Sequence, residues 1–136
     1  MNLALLKQEL LRDEGLRLKL YKCTAGKWSI GIGRNLEDRG ITPDEAAYLL
    51  HNDLAVVFVD LDRNLPWWRQ MTDARQRALA NMCLNLGIVR LLGFKNTLAA
   101  MEAGDYEKAA EGMLASKWAG QVGDRAIRLA TMMRDG

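Results

Sequence analysis

The sequence has few of the residues that cross-link or interrupt a chain: two cysteines, two prolines and one histidine among 136 residues. Cys23 and Cys83 lie far apart and form no CxxC pair, so a structural zinc site lacks its ligands. We expect two free thiols, as in a reducing compartment, with Cys83 part of the core. A chain of this length can bury a core without disulfides or metal.

Long apolar segments and a strong charge of one sign are absent as well. No window approaches the ~18–20 apolar residues that cross a bilayer. Residues 1–10 lack the basic leader of a signal peptide, and Lys7 and Glu9 interrupt their apolar run. We therefore expect synthesis in the cytoplasm with no export signal. The net charge of +2 is too small to indicate nucleic acid, but it fits weak attraction to an anionic polymer such as a cell wall.

The first residues carry leucines at helical spacing and end at a glycine. Leu3, Leu6 and Leu10 recur every three or four residues, which predicts an amphipathic helix. Gly15 can adopt the backbone conformation that ends a helix, so we expect Glu14 at the C-terminal end. There the negative end of the helix dipole disfavours the ionised form of a carboxyl group.

Residues 16–33 alternate in polarity instead of following helical spacing. Apolar side chains occupy every second position in two runs, 16–20 and 28–32, on either side of a Thr-Ala-Gly turn signal. The other face of the second run carries only Ser29, Gly31 and Gly33, and glycines let another chain approach a strand closely. We expect a small antiparallel hairpin or meander that reaches Gly33, and then a polar loop over 34–40.

The rest of the chain is predicted to be helical. Residues 42–45, Thr-Pro-Asp-Glu, combine a capping box with a proline at the first helical position, and the helix should reach about Asn64. At ~1.5 Å per residue this helix would be ~33 Å long, which favours a connector between two lobes. Further helices are expected to begin at Thr72 or Asp73, after Gly93, at Asp105 and near Asp124, with only a turn between Gly87 and Gly93.

Several segments together resemble a known family. Residues 14–22, Glu-Gly-Leu-Arg-Leu-Lys-Leu-Tyr-Lys, followed by Ile-Gly-Ile-Gly at 30–33, are similar to the phage-type lysozymes, the endolysins of glycoside hydrolase family 24. Segments resembling the family follow in the same order at residues 77–82, 93–97, 116–118 and 124–126. The resemblance covers nearly the whole chain and is more specific than any single motif.

The resemblance implies an α+β, lysozyme-like fold that is mostly helical, with a small antiparallel hairpin or sheet. A single domain would cover residues 1–136 and consist of two lobes joined by the long helix. The β-containing lobe would cover about residues 12–42, the connecting helix residues 43–64, and the helical lobe residues 65–136 together with 1–11. A glycan cleft would lie between the lobes.

The family arranges three functional side chains as Glu, eight residues, an acidic residue, five residues and Thr. Carried onto this sequence, the pattern gives Glu14, Cys23 and Ser29, with cysteine in place of the second carboxylate. Glycosidic cleavage needs an acid for the leaving oxygen, which is the role expected of Glu14. As a thiolate, Cys23 could stabilise the transition state, activate a water or attack the anomeric carbon, or else be a structural turn residue. The Ser29 hydroxyl would hold a water.

The resemblance also implies substrate contacts beyond these three side chains. Gly31 and Gly33 would let a sugar chain approach the backbone, and Arg34 is expected beside them. Arg125 is expected near the carboxyl group of Glu14, where it would hold its orientation. Expected contacts from the helical lobe are Asn85, Phe94, Asn96 and Thr97.

The implied reaction is hydrolysis of the β-1,4 bond between N-acetylmuramic acid and N-acetylglucosamine in peptidoglycan, without metal or organic cofactor. The implied role is host lysis: a monomer is made in the host cytoplasm and acts on the periplasmic wall after a membrane lesion releases it. Two alternatives stay open, a lytic transglycosylase that uses the muramic 6-hydroxyl in place of water and a non-catalytic peptidoglycan-binding module. Neither a nucleic-acid partner nor stable membrane association is expected.

Overall fold

The computed structural model describes residues 1–136. The chain divides into two compact units, residues 1–48 and residues 49–136. This division groups the first helix with the sheet, whereas the resemblance implied that residues 1–11 belong to the helical lobe. The boundary also lies within the long helix, near its start.

The first unit begins with a helix and continues as a small sheet. Helix α1 covers Leu3–Glu14, and the Asn2 side chain caps it by accepting a 3.0 Å hydrogen bond from the Leu5 N–H. Three antiparallel strands follow in the order β1-β2-β3, covering Arg17–Lys22, Trp28–Gly31 and Arg34–Asn35. Helix α2, Leu36–Arg39, completes this part of the chain. The expected antiparallel sheet is therefore present.

Two details of the expected sheet are wrong. Strand β2 ends at Gly31 and does not reach Gly33, because both glycines have a φ of +72° and turn the chain towards β3. The expected loop over 34–40 holds β3 and α2, whose start the Asn35 side chain caps by accepting a 3.0 Å hydrogen bond from the Asp38 N–H. A two-residue strand and a four-residue helix are too short to show a periodic pattern.

The long helix has the predicted bounds and the predicted cap. Helix α3 covers Pro43–Asn64. The N–H of Glu45 donates to the Thr42 hydroxyl at 3.2 Å, and the N–H of Thr42 donates to a Glu45 carboxylate oxygen at 2.9 Å. These two bonds form the reciprocal capping box that the sequence predicted.

The second unit is helical throughout. A 3₁₀ turn covers Pro66–Gln70, and six helices follow: α4 Asp73–Leu86, α5 Ile88–Leu92, α6 Lys95–Glu102, α7 Tyr106–Leu114, α8 Lys117–Val122 and α9 Asp124–Asp135. The starts predicted at Thr72 or Asp73, Asp105 and Asp124 are confirmed. The expected turn between Gly87 and Gly93 is wrong, because α5 lies there, and α8 was not predicted. Both helices are shorter than two turns.

The hydrophobic core lies entirely in the second unit. Helix α7 packs against α6 and α9, and α9 also packs against α4. Cys83 is buried there as a free thiol, as expected. None of the helices combines the length and apolar character that crossing a bilayer requires. The largest fully buried side chains are Leu61, Leu79, Met82, Leu91, Met101, Met113 and Met133.

Candidate active site

The carboxyl group of Glu14 lies directly over Gly33. Helix α1 ends at Glu14, because Gly15 turns the chain with a φ of +76° while its N–H still bonds to Leu11. A Cβ placed on Gly33 would lie 2.9 Å from both Cδ and Oε2 of Glu14, which is too close for any real side chain. Glycine at position 33 thus leaves the space that the exposed Glu14 carboxyl occupies.

Cys23 lies in a tight turn directly after β1. Its N–H donates to the Lys27 carbonyl at 2.9 Å, and the Gly26 N–H donates to the Cys23 carbonyl at 2.8 Å. The half-buried thiol is stabilised as a thiolate by the backbone of Lys27, then by that of Ala25, and less by the Ser29 hydroxyl. These neighbours lower the pKa of Cys23, although desolvation acts in the opposite direction.

Ser29 is the one buried side chain of the first unit, with 2% of its surface exposed. It lies in β2, between Tyr21 and Asn35 of the neighbouring strands. Its hydroxyl donates to the Lys27 carbonyl at 3.1 Å and lies beside the thiol of Cys23. The structure thus brings Cys23 and Ser29, the expected second and third functional residues, together. That Ser29 holds a water stays a prediction.

The remaining expected residues of the first unit differ in their surroundings. No atom lies within 4 Å of a Cβ placed on Gly31, so the space beside its backbone is open. The Arg34 guanidinium forms a bidentate ion pair with the Glu45 carboxylate, at 2.8 and 2.6 Å. It also donates a hydrogen bond to the Gly40 carbonyl. Arg34 thus joins β3 to the start of α3. Its contact with a substrate stays a prediction.

Three expected residues of the second unit line one open groove of about 560 Å³. Phe94, Asn96 and Thr97 lie at the start of α6, and Trp118 of α8 forms another part of the wall. The rings of Phe94 and Trp118 meet edge to face, with centroids 6.3 Å apart. Asn85 does not line the groove itself. Its side-chain oxygen accepts a 2.8 Å hydrogen bond from the indole N–H of Trp118, which does line it.

Arg125 lies in the first turn of α9 and is bound within the second unit. Its guanidinium group donates two hydrogen bonds, at 3.0 and 2.7 Å, to the side-chain oxygen of Asn81 on α4. Glu14 belongs to the other unit, and its expected pairing with Arg125 stays a prediction.

The groove also contains cations that were not predicted from the sequence. Arg90, Lys95 and Lys117 all line it, and all three are exposed. Surface cations follow no periodic pattern, so nothing in the alternation of polarity marks them. Two of them do lie inside segments that resemble the family, 93–97 and 116–118, and this position is the signal that could have found them. Nowhere in the chain do three or more His, Cys, Asp or Glu side chains gather as a metal site would require.

Comparison with known proteins places this arrangement in a family. Residues 12–133 match the family model for phage lysozyme. The chain belongs to the phage lysozyme family. The matched residues include the end of α1, the whole sheet and every helix of the second unit up to most of α9, so this phage lysozyme domain accounts for nearly the whole chain.

The relatives of this phage lysozyme domain include proteins of very different length. The probable T4-type lysozyme 1 of Dictyostelium discoideum is 27% identical over 96% of this chain and 94% of its own. An endolysin of Acyrthosiphon pisum secondary endosymbiont phage 1 is 32% identical over 79% of this chain and 72% of its own. The pre-baseplate central spike protein Gp5 of Enterobacteria phage T4 is 33% identical over 93% of this chain, which spans only 27% of that protein.

Proposed function

We propose that this member of the phage lysozyme family is a glycoside hydrolase that cleaves peptidoglycan. The bond is the β-1,4 linkage between N-acetylmuramic acid and N-acetylglucosamine. The observation that carries the proposal is the Glu14 carboxyl held over Gly33 at the end of α1, at the family's acid position. The names of two relatives, a probable lysozyme and an endolysin, support the same class of activity.

Glu14 acts as the general acid in this proposal. An alkoxide is a poor leaving group, so the glycosidic oxygen must receive a proton as the bond to the anomeric carbon breaks. The Glu14 side chain is exposed, and no ion pair engages it. It can therefore reach the oxygen of a bound glycan.

Cys23 takes the place of the second carboxylate. A negative charge is needed there to balance the oxocarbenium-like transition state, to activate a water or to attack the anomeric carbon. Because the pKa of Cys23 is lowered, a larger fraction of its thiol is ionised at a given pH. Ser29, which lies beside the thiol, contributes to this effect and takes the position of the family's threonine.

The biological role proposed is lysis of a bacterial host. The protein would be made in the host cytoplasm and act as a monomer on the periplasmic wall after a membrane lesion. Peptidoglycan would be its partner, and no cofactor enters the proposed reaction.

The decisive experiment compares two carboxyl-to-amide variants of α1. Glu14→Gln should reduce the clearing of a cell-wall suspension by about 100-fold or more, because it removes the proton donor. Glu9→Gln lies on the same helix and should leave clearing unchanged. Circular dichroism should show both variants folded. A Glu14→Gln variant that clears walls at the wild-type rate would show that another group is the acid.

Mass spectrometry of the digested wall separates the alternatives. Reducing muramic ends are expected, because water is the proposed acceptor. Anhydro-muramic ends would instead identify a lytic transglycosylase. A wild-type protein that binds walls and never releases fragments would identify a binding module.

The role of Cys23 is tested by replacing the thiol. Cys23→Ser keeps a similar volume but cannot ionise near neutral pH, so clearing should fall while binding of the wall persists. Cys23→Asp restores a carboxylate and should retain activity. Unchanged activity in Cys23→Ser would show that this thiol is structural.

A further inference from the structure

The backbone of Lys27 contacts both Cys23 and Ser29, the proposed second and third functional residues. Its carbonyl accepts a 2.9 Å hydrogen bond from the N–H of Cys23 and a 3.1 Å hydrogen bond from the hydroxyl of Ser29. The same backbone is the main cause of the lowered pKa of Cys23. The position of one residue's backbone therefore decides where the thiol and the hydroxyl lie.

The side chain of Lys27 reaches a different element, helix α2. Its ammonium nitrogen lies 3.2 Å from a carboxylate oxygen of Glu37 and 3.3 Å from one of Asp38, both in the first turn of α2. No other cation in the chain pairs with two carboxylates. Two partners restrict an ammonium group more than one does, so this pairing joins the turn after β1 to α2.

Helix α2 is in turn bound to the strand beside Ser29. The carboxylate of Asp38 accepts a 3.0 Å hydrogen bond from the side-chain amide of Asn35, whose oxygen accepts one from the Asp38 N–H at 3.0 Å. Asn35 lies in β3, directly opposite Ser29 of β2. The contacts thus form a closed circuit, in which β3 and α2 connect Ser29 with Lys27.

The other charges around this turn are arranged differently. Residues 15–43 contain only two carboxylates, and both of them pair with Lys27. Of the cations on β1, Arg17 lies over the ring of Tyr21 and Lys22 over the ring of Trp28, each 4.9 Å from the centroid. The negative charge of this segment is therefore concentrated on the lysine whose backbone meets the thiol.

We propose that Lys27 is a positioning residue, whose two ion pairs with α2 hold the backbone that places the thiol and the hydroxyl of the site. An exposed ion pair adds little to stability. A displacement of a catalytic group by about 1 Å, however, can slow a reaction by about 100-fold. The pairing therefore matters for catalysis more than for folding. The inference rests on the proposed function, because it needs Cys23 to act on the substrate.

The test removes the two partner carboxylates and keeps Lys27. The double variant Glu37→Gln, Asp38→Asn should label Cys23 with iodoacetamide about three-fold more slowly at pH 7, because a loosened backbone stabilises the thiolate less. A direct effect of charge has the opposite sign, since the loss of two negative charges near the thiol favours the thiolate. Labelling that is faster or unchanged, measured by mass spectrometry, would overturn the proposal.

Two substitutions of Lys27 keep the proposal testable if α2 does not form in the double variant. Lys27→Met should slow both the labelling of Cys23 and the clearing of walls, the latter about ten-fold. Lys27→Arg can pair with both carboxylates and should return both rates to within about two-fold of wild type. Wild-type rates in Lys27→Met, or no recovery in Lys27→Arg, would contradict the proposed role.

Asp135→Asn is the matched control, because it breaks an ion pair of similar exposure, with Arg134, in the second unit. It should change neither rate. Circular dichroism should show the control and the Lys27 variants equally folded.

Labelling needs no turnover, so the two proposals can fail separately. A protein whose Cys23 labelling changes as expected, but which never clears walls, would contradict the hydrolase proposal alone. Undiminished clearing by the double variant, in an assay where Glu14→Gln is inactive, would contradict the role of Lys27 alone.

Discussion

Gly33 meets two separate constraints at one position. Its φ of +72° strains any other residue, and an added Cβ would lie 2.9 Å from the Glu14 carboxyl carbon. We expect Gly33→Ala to lower the free energy of unfolding by about 1–2 kcal/mol. We also expect it to displace the proposed acid and slow wall clearing by about 100-fold. Urea unfolding measures the first effect, and the turbidity of a wall suspension measures the second.

Gly104→Ala is the matched control, because Gly104 has a φ of +78° and no atom lies within 4 Å of its added Cβ. It should lose similar stability and keep its clearing rate. If both variants lose activity equally once the folded fraction is taken into account, the position of Glu14 does not depend on the bare backbone of Gly33.

The two thiols differ in the direction of their pKa shifts. The backbone of Lys27 is the main cause of the lowered pKa of Cys23, whereas burial, with the charge of Asp60, raises that of Cys83. As the pH rises, Cys23 should react with iodoacetamide first, while Cys83 should react only after unfolding. The thiolate of Cys23 stabilises the fold above the ordinary thiol pKa, and this contribution is lost as the pH falls through the lowered value.

Mass spectrometry of peptides labelled at a series of pH values checks this order. Ser29→Ala removes one neighbour that stabilises the thiolate, so the labelling curve of Cys23 should move to higher pH. Labelling of Cys83 before Cys23 in the folded protein would contradict the assignment.

At the scale of elements, the contact between α6 and α7 depends on Gly112. A Cβ on this residue would collide with the hydroxyl of Thr97. Gly112→Ala should therefore destabilise the protein by about 1–3 kcal/mol in thermal unfolding, despite the better helix propensity of alanine. Gly120→Ala in α8 meets no atom within 4 Å and should be neutral or slightly stabilising. Equal effects of the two substitutions would show that α6 and α7 can move apart at Gly112 with no loss in the free energy of unfolding.

The start of α3 contains a carboxylate whose ionisation is coupled to folding. The ion pair with Arg34 is the main cause that lowers the pKa of Glu45 to about 2, and the N–H of Thr42 adds to it. A lowered pKa gives stability that is present above about pH 4.5, the ordinary value, and is lost as the pH falls towards 2. The difference in melting temperature between wild type and Glu45→Gln should therefore shrink from pH 6 to pH 2. Glu102→Gln, which breaks no ion pair, should show no such trend.

The same segment explains why some elements could be predicted and others not. The cap of α3 is encoded within residues 42–45, so the sequence predicted both its start and its partners. Helices α5 and α8 have five and six residues, too few for a hydrophobic period, and packing in the second unit holds them. Arg34 and Glu45, which form the ion pair, lie eleven positions apart in the sequence. No local sequence pattern predicts such a pairing.

At the scale of the whole molecule, the residues of the candidate site were predictable to different degrees. The position of Glu14 at the end of α1 followed from helical spacing and a glycine stop, whereas its role as the acid came from the resemblance and its place over Gly33 was not predicted. The choice of Cys23 and Ser29 came from resemblance, because the thiol's surroundings depend on backbone groups of a turn that composition does not encode. The cations of the groove escaped prediction because three helices bring them together.

The uneven distribution of the core leads to a prediction about the whole chain. All buried apolar side chains lie between Val57 and Met133, in the second unit, whereas Ser29 is the one buried side chain of the first. Few buried contacts allow local opening at low free energy, so the amides of β1 and β2 should exchange with deuterium at least about ten-fold faster than those of α4, relative to their intrinsic rates. Hydrogen exchange followed by mass spectrometry measures both sets in one experiment. Equal protection of β2 and α4 would show instead that the sheet opens only when the whole chain unfolds.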